Sequence, residues 1–127
     1  MKVVLRDLLQ SIDALRSLAQ IKFKAALSFK VVKLLKEAEV QFKDYEEIRQ
    51  QKVKQYNLAD APSESASQEE KDLYMARRNV ADSELNVLLD SEVEMYDLKL
   101  KASDFDGQEI SSAHLMLLHW LVQDDEA

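Results

Sequence analysis

Residues 25–57 read AALSFKVVKLLKEAEVQFKDYEEIRQQKVKQYN, and this stretch decides the fold. Leu27, Val31, Leu34, Ala38, Phe42, Tyr45 and Ile48 step by three or four, and Val53 and Tyr56 continue the series less regularly. Such steps place side chains on one face of a helix with 3.6 residues per turn. Lys, Glu, Gln and Arg fill most of the intervening positions, and Lys33–Glu37, Glu39–Lys43 and Lys43–Glu47 set opposite charges four apart, a spacing that supports a helix. The segment predicts one amphipathic helix of about 33 residues, roughly 50 Å long at 1.5 Å per residue. A helix of that length cannot bury its whole stripe inside a small globule. It projects, pairs with a long partner or self-associates. The seven stripe residues are therefore the candidate interaction surface.

On the C-terminal side, residues 57–68 (NLADAPSESASQ) hold the single proline among small polar residues and predict a loop or tether. Leu73, Ala76, Val80, Leu85 and Leu88 then restore a helical period over 68–90. Two long helices joined by a loop predict an antiparallel hairpin. The second is about ten residues shorter, so roughly 15 Å of the first lacks a partner. That mismatch predicts a homo-oligomer or another protein covering the remainder.

On the N-terminal side, Leu8, Ile12, Leu15 and Leu18 predict a first helix over 8–20, opened by Asp7 with Gln10 as a capping box. Residues 2–5 are rich in β-branched side chains. Residues 92–101 alternate twice, through Val93 and Met95 and then Leu98 and Leu100, with a phase slip at Tyr96–Asp97. A β-bulge produces such a slip, so 92–101 predict a bulged strand paired with 2–5. Ser103 is expected to cap the turn SDFDG, which Gly107 ends in the left-handed conformation. Ser111 then opens a last helix through Leu115, Leu118, Leu121 and Val122, with Ile110 and Leu115 as a hydrophobic staple. Residues 123–127 read as a frayed acidic tail. The fold expected is a single domain over 1–127: mainly α, a long hairpin with a small two-stranded β element and a short C-terminal helix.

Composition narrows the chemistry. One glycine in 127 residues removes most φ > 0 turns and phosphate-cradling loops, and with them Rossmann and Walker-type sites. No cysteine is present, which removes disulfides and thiol chemistry. Arg6, Asp7 and Asp13 interrupt any signal-like apolar run at the start, and no stretch is apolar enough for a membrane span. His114 and His119 lie five apart, about 140° around a helix, whereas zinc-binding helices use a spacing of four. Aligning Asp104, Asp106 and Gly107 with a calcium loop leaves Ala102 and Ala113 where oxygen ligands are required. Glu46–Glu47, Glu69–Glu70 and Asp124–Asp125 lie on polar faces or in the tail, without the burial that acid–base catalysis needs. No catalytic, cofactor or metal residues are therefore assigned.

Charge is segregated. Residues 1–57 carry 12 Lys/Arg and 7 Asp/Glu, and residues 58–127 carry 5 and 17, giving −7 in all. The halves attract each other within one fold or between copies. The overall sign argues against DNA or an anionic membrane as the main partner. Lys22, Lys24, Lys30, Lys33 and Lys36 interleave with Phe23 and Phe29. That pattern also occurs in single-strand binders, but here both rings are expected to pack in the core.

The segments RDLLQSIDALRSLA, ALSFKVVKLLKEAEVQFKDYEEIRQQKVKQY and SELNVLLDSEVEMYDLKLKASDFDGQEISSAHLMLLHWLV together resemble a family of small phage and prophage proteins of unknown function. The shared features are a basic helical stretch leading into a long helix that ends in Tyr, a variable polar insert and a Glu-Val-Glu strand. A Lys-x-x-x-Ser-Asp turn and an Ile-Ser-x-x-x-Leu-Met helix complete the pattern. The resemblance covers about 1–57 and 84–122. Members often carry proline where this chain has Lys24, so helices 1 and 2 could fuse here, and the insert at 58–83 is more helical than the pattern. The resemblance implies a phage gene product in the virion or the infected cell's cytoplasm, with no catalytic residues to transfer. The expected function is non-enzymatic association as a virion, neck, tail or assembly component. The alternative is an acidic inhibitor of a host protein.

Overall fold

The structure, a computed structural model, describes residues 1–124. Its order is β1 (Lys2–Val4), α1 (Leu5–Gln10), α2 (Ile12–Leu18), α3 (Ala25–Gln55), α4 (Gln68–Leu89), β2 (Glu92–Glu94), β3 (Leu100–Lys101), a 3₁₀ turn (Ala102–Phe105), α5 (Ser112–Leu117) and β4 (Val122–Gln123). The chain is mainly helical, with a small two-stranded antiparallel sheet in which Lys2, Val3 and Val4 face Glu94, Val93 and Glu92.

α3 runs unbroken because its 31 residues contain neither glycine nor proline and are dominated by good helix formers. It does not fuse with the preceding helix: residues 19–24 form turns and irregular backbone. Its end uses asparagine where glycine is customary. Asn57 takes φ +53, and the Leu58 amide reaches back to the Val53 carbonyl at 2.8 Å, closing the helix by a left-handed residue. α4 begins at the cap Ser67, whose hydroxyl accepts the Glu70 amide at 3.2 Å. The connection between α3 and α4 is pinned, since the Tyr74 hydroxyl donates to the Leu58 carbonyl and Arg77 Nε to the Tyr56 carbonyl.

The first helix differs from expectation. It starts at Leu5, so Asp7 lies inside it instead of capping it, and it breaks at Ser11. The Ser11 hydroxyl donates to the Leu8 carbonyl at 2.8 Å and accepts the Trp120 indole N–H at 3.3 Å. A serine that bonds to its own backbone competes with helical continuation. The break turns Leu8, Ile12, Leu15 and Leu18 into one buried set.

The predicted strand 92–101 is also corrected. The buried alternation is real, with Met95, Leu98 and Leu100 all inside. The backbone leaves the sheet where the phase slips: the Tyr96 amide donates to Glu37 Oε2 on α3 at 2.8 Å, in place of a strand partner. Leu100–Lys101 then pair in parallel with Val122–Gln123. The last helix is correspondingly shorter than expected. Leu118 and Leu121 lie in a turn that buries both completely and brings Val122 into β4. Ser111 does cap α5, accepting the His114 amide at 3.1 Å. Ser103 sits within the 3₁₀ turn, whose start is held by Asp104 Oδ2 accepting the Lys101 amide. Gly107 takes φ +76 as expected. Of the expected tail, Gln123 belongs to β4 and residues 125–127 lie outside the described residues.

The core joins α1, α2 and the N-terminal half of α3 to the segments after α4. Leu8, Leu15, Leu18, Leu34, Leu100, Leu118 and Leu121 are fully buried, and each such side chain contributes roughly 1.5–3 kcal/mol relative to exposure. Phe23 meets Phe105 edge to face at a centroid distance of 5.9 Å. Phe29 does not join them; it is 72% exposed.

Candidate interaction surface

The seven-residue stripe on α3 divides at Ala38. Val31, Leu34 and Ala38 are fully buried against α1 and α2, and Leu27 is half-buried beside them. Beyond that point Tyr45 and Ile48 are partly covered and Phe42 is 40% exposed. A continuous sequence stripe therefore serves two environments: a core at one end and a lightly covered helix at the other.

α4 covers part of that second half. Lys52 Nζ meets Glu84 Oε2 at 2.8 Å, and the Tyr56 hydroxyl donates to Glu84 Oε1 at 2.7 Å. The carboxylate between two donors holds its pKa below the ordinary value, first through Lys52 and then through Tyr56. The same bonds raise Lys52 and Tyr56. Glu46 likewise raises Arg49 through a paired hydrogen bond on the same helix. A groove of about 570 Å³ lies here, lined by Tyr45, Arg49, Val53, Tyr74 and Leu85 among others. Arg6 of α1 reaches Asp90 Oδ1 at 3.1 Å and Asn86 Oδ1 at 3.3 Å, tying the C-terminal end of α4 to the core.

Little of α4 is buried. Ala81 is its one fully buried residue, whereas Leu73 is 56% exposed, Val80 48% and Val87 75%. Helical geometry explains the division. Tyr74, Ala81, Leu85 and Leu88 share one face, and Leu73, Ala76, Val80 and Val87 share another roughly 120° away. Reading Leu73, Ala76 and Val80 together with Leu85 and Leu88 as one stripe merged these two faces. The signal that separates them is present: 73, 76, 80 and 87 repeat by three, four and seven, the spacing of a helix–helix seam. Nothing in the sequence period told which face α3 would cover.

Among the described residues Ser11 is the single buried polar side chain, and it lies in the core. No group of three or more His, Asp or Glu side chains among them is placed to hold a metal ion, and none of their helices is long and apolar enough to cross a membrane. No protein family, curated protein or solved structure matches the chain.

Proposed function

We propose that the chain works by non-enzymatic protein–protein association, with α3 beyond Ala38 and α4 forming a long antiparallel hairpin, an arm, that carries the contacts. The observation that carries this reading is the exposure of Leu73, Val80 and Val87 along one face of α4. A helix with apolar side chains on two faces is suited to partners on both. Exposed apolar patches of this kind mark interaction sites on soluble proteins. Self-association fits because both helices are long, paired charges such as Lys52–Glu84 fix the arm internally, and the outer seam remains uncovered. The resemblance to small phage proteins supports reading the chain as an assembly component of a particle, acting in the virion or in the infected cell's cytoplasm.

Sedimentation across a concentration series tests the reading. The wild-type chain should gain mass with concentration, and Leu73→Glu with Val80→Glu should remain monomeric with an unchanged circular dichroism spectrum. A wild-type chain that stays monomeric at the highest concentration refutes self-association.

A further inference from the structure

The outward faces of α3 and α4 carry opposite charge around exposed apolar side chains. On α3, Phe29, Val32 and Val40 are 72%, 38% and 57% exposed, and they lie nearly opposite the buried Val31–Leu34–Ala38 stripe. Residues 14–36 contain Arg16, Lys22, Lys24, Lys30, Lys33 and Lys36 and no carboxylate. Of these six, only Arg16 takes part in an ion pair among the described residues, with Asp13 and Glu39. Lys33 instead lies over the Tyr96 ring at 4.4 Å.

The N-terminal part of α4 and the loop before it are the counterpart. Asp60, Glu64, Glu69, Glu70 and Asp72 surround a single cation, Lys71. None of the five carboxylates has an ion-pair partner among the described residues, unlike Asp82 and Glu84 further along, which pair with Arg78 and Lys52. Leu73, Ala76 and Val80 continue directly from this acidic end. The seam from Leu73 to Val87 spans about 21 Å, and that from Phe29 to Val40 about 16 Å, so either can cover the other over several turns.

We propose that the occupant of the basic α3 face is a second copy of this chain, seating the outward seam and acidic end of its α4 on Phe29, Val32 and Val40. The proposal deepens the association reading and rests on it. Each copy presents both surfaces, so two copies seat reciprocally about a two-fold axis or chain head-to-tail. Apolar side chains supply the buried area, and the unpaired lysines and carboxylates fix the register and speed encounter. A net charge of −7, with 17 of the 24 carboxylates in residues 58–127, favours this occupant over a polyanion.

Charge-reversal pairs provide the test. K30E/K36E and E69K/E70K, all at exposed positions, should each keep the wild-type dichroism spectrum. Each alone should associate at least about tenfold more weakly than wild type, because like charges then meet across the contact. An equimolar mixture of the two should recover the association, and added salt should weaken the wild-type complex. Association of the wild type that ignores both reversals, or that the mixture fails to recover, overturns this docking mode while leaving self-association standing. A wild-type chain that never associates overturns both. Binding of a labelled single-stranded oligonucleotide by wild type, lost in K30E/K36E, assigns the α3 face to nucleic acid and also overturns the proposal.

Discussion

Leu34 and Phe42 occupy the same sequence stripe eight residues apart, and their truncation should have very different costs. Leu34 is fully buried in the cluster that includes Leu8, Leu15, Leu18, Leu100 and Leu118. Leu34→Ala removes the transfer contribution of the side chain and leaves a cavity, together about 3 kcal/mol. Phe42 retains 40% of its accessible surface, so Phe42→Ala forfeits only a partial burial, about 1.5 kcal/mol, and leaves no closed cavity. For a chain of this size roughly 3–5 °C is lost per kcal/mol. The first variant should then melt about 10–15 °C below wild type and the second about 5 °C below. Thermal and urea unfolding at low protein concentration, followed by far-ultraviolet dichroism, measures both. Equal losses, or a greater loss for Phe42→Ala, would refute the division of the stripe at Ala38.

Three further outcomes follow from the structure. Native-state amide exchange should be slowest across Val31–Ala38 and distinctly faster across Leu73–Val87, because α4 has one fully buried residue and opens without exposing the core; uniform protection along both helices would contradict this. Gly107→Ala should cost about 1 kcal/mol from backbone strain alone, since Gly107 takes φ +76 and an added Cβ would meet nothing within 4 Å; a neutral result in urea unfolding would show that the turn relaxes. Glu84 should titrate below the ordinary carboxylate value when followed by carbon-detected NMR. A depressed folded-state pKa means that its contribution is complete at neutral pH and disappears as pH falls below about 4. In Lys52→Met the Glu84 pKa should move upward, and an unchanged titration would remove Lys52 as the cause.

Much of the architecture was legible because it rests on local periodicity. The extents of α3 and α4, the pairing of residues 2–4 with 92–94 and the left-handed Gly107 follow from side-chain spacing and the scarcity of helix breakers. What escaped rests on contacts distant in sequence. The strand expected through 101 ends at Glu94 because Glu37, from another helix, takes the Tyr96 amide. The last helix stops before Leu118 because Leu118 and Leu121 are drawn into the core and Val122 beside Leu100. Ser11 breaks the first helix where Trp120 meets its hydroxyl. The candidate interaction surface was legible in part: the α3 stripe was visible, but a period cannot say which of two apolar faces on α4 a neighbour will cover. Val87, not singled out at all, is on the surface for that reason, and Phe29, expected in the core, lies on the outward side of α3.

The core has a consequence for the order in which the chain matures during synthesis. Val3, Leu8, Leu15, Leu18, Val31 and Leu34 emerge first, yet the side chains that enclose them, Met95, Leu98, Leu100, Leu118 and Leu121, follow only after both long helices have been made. The early apolar residues stay uncovered until the segment after α4 has emerged from the ribosome, so a nascent chain stalled within α4 should engage a holding chaperone. Residues 39–90 are, for the same reason, a long excursion between two parts of one core. Closing such an excursion depends only weakly on its length, about 0.6 kcal/mol per doubling. Natural or designed variants should therefore lengthen or shorten α3 beyond Ala38 and α4 together with little change in the stability of the core on either side.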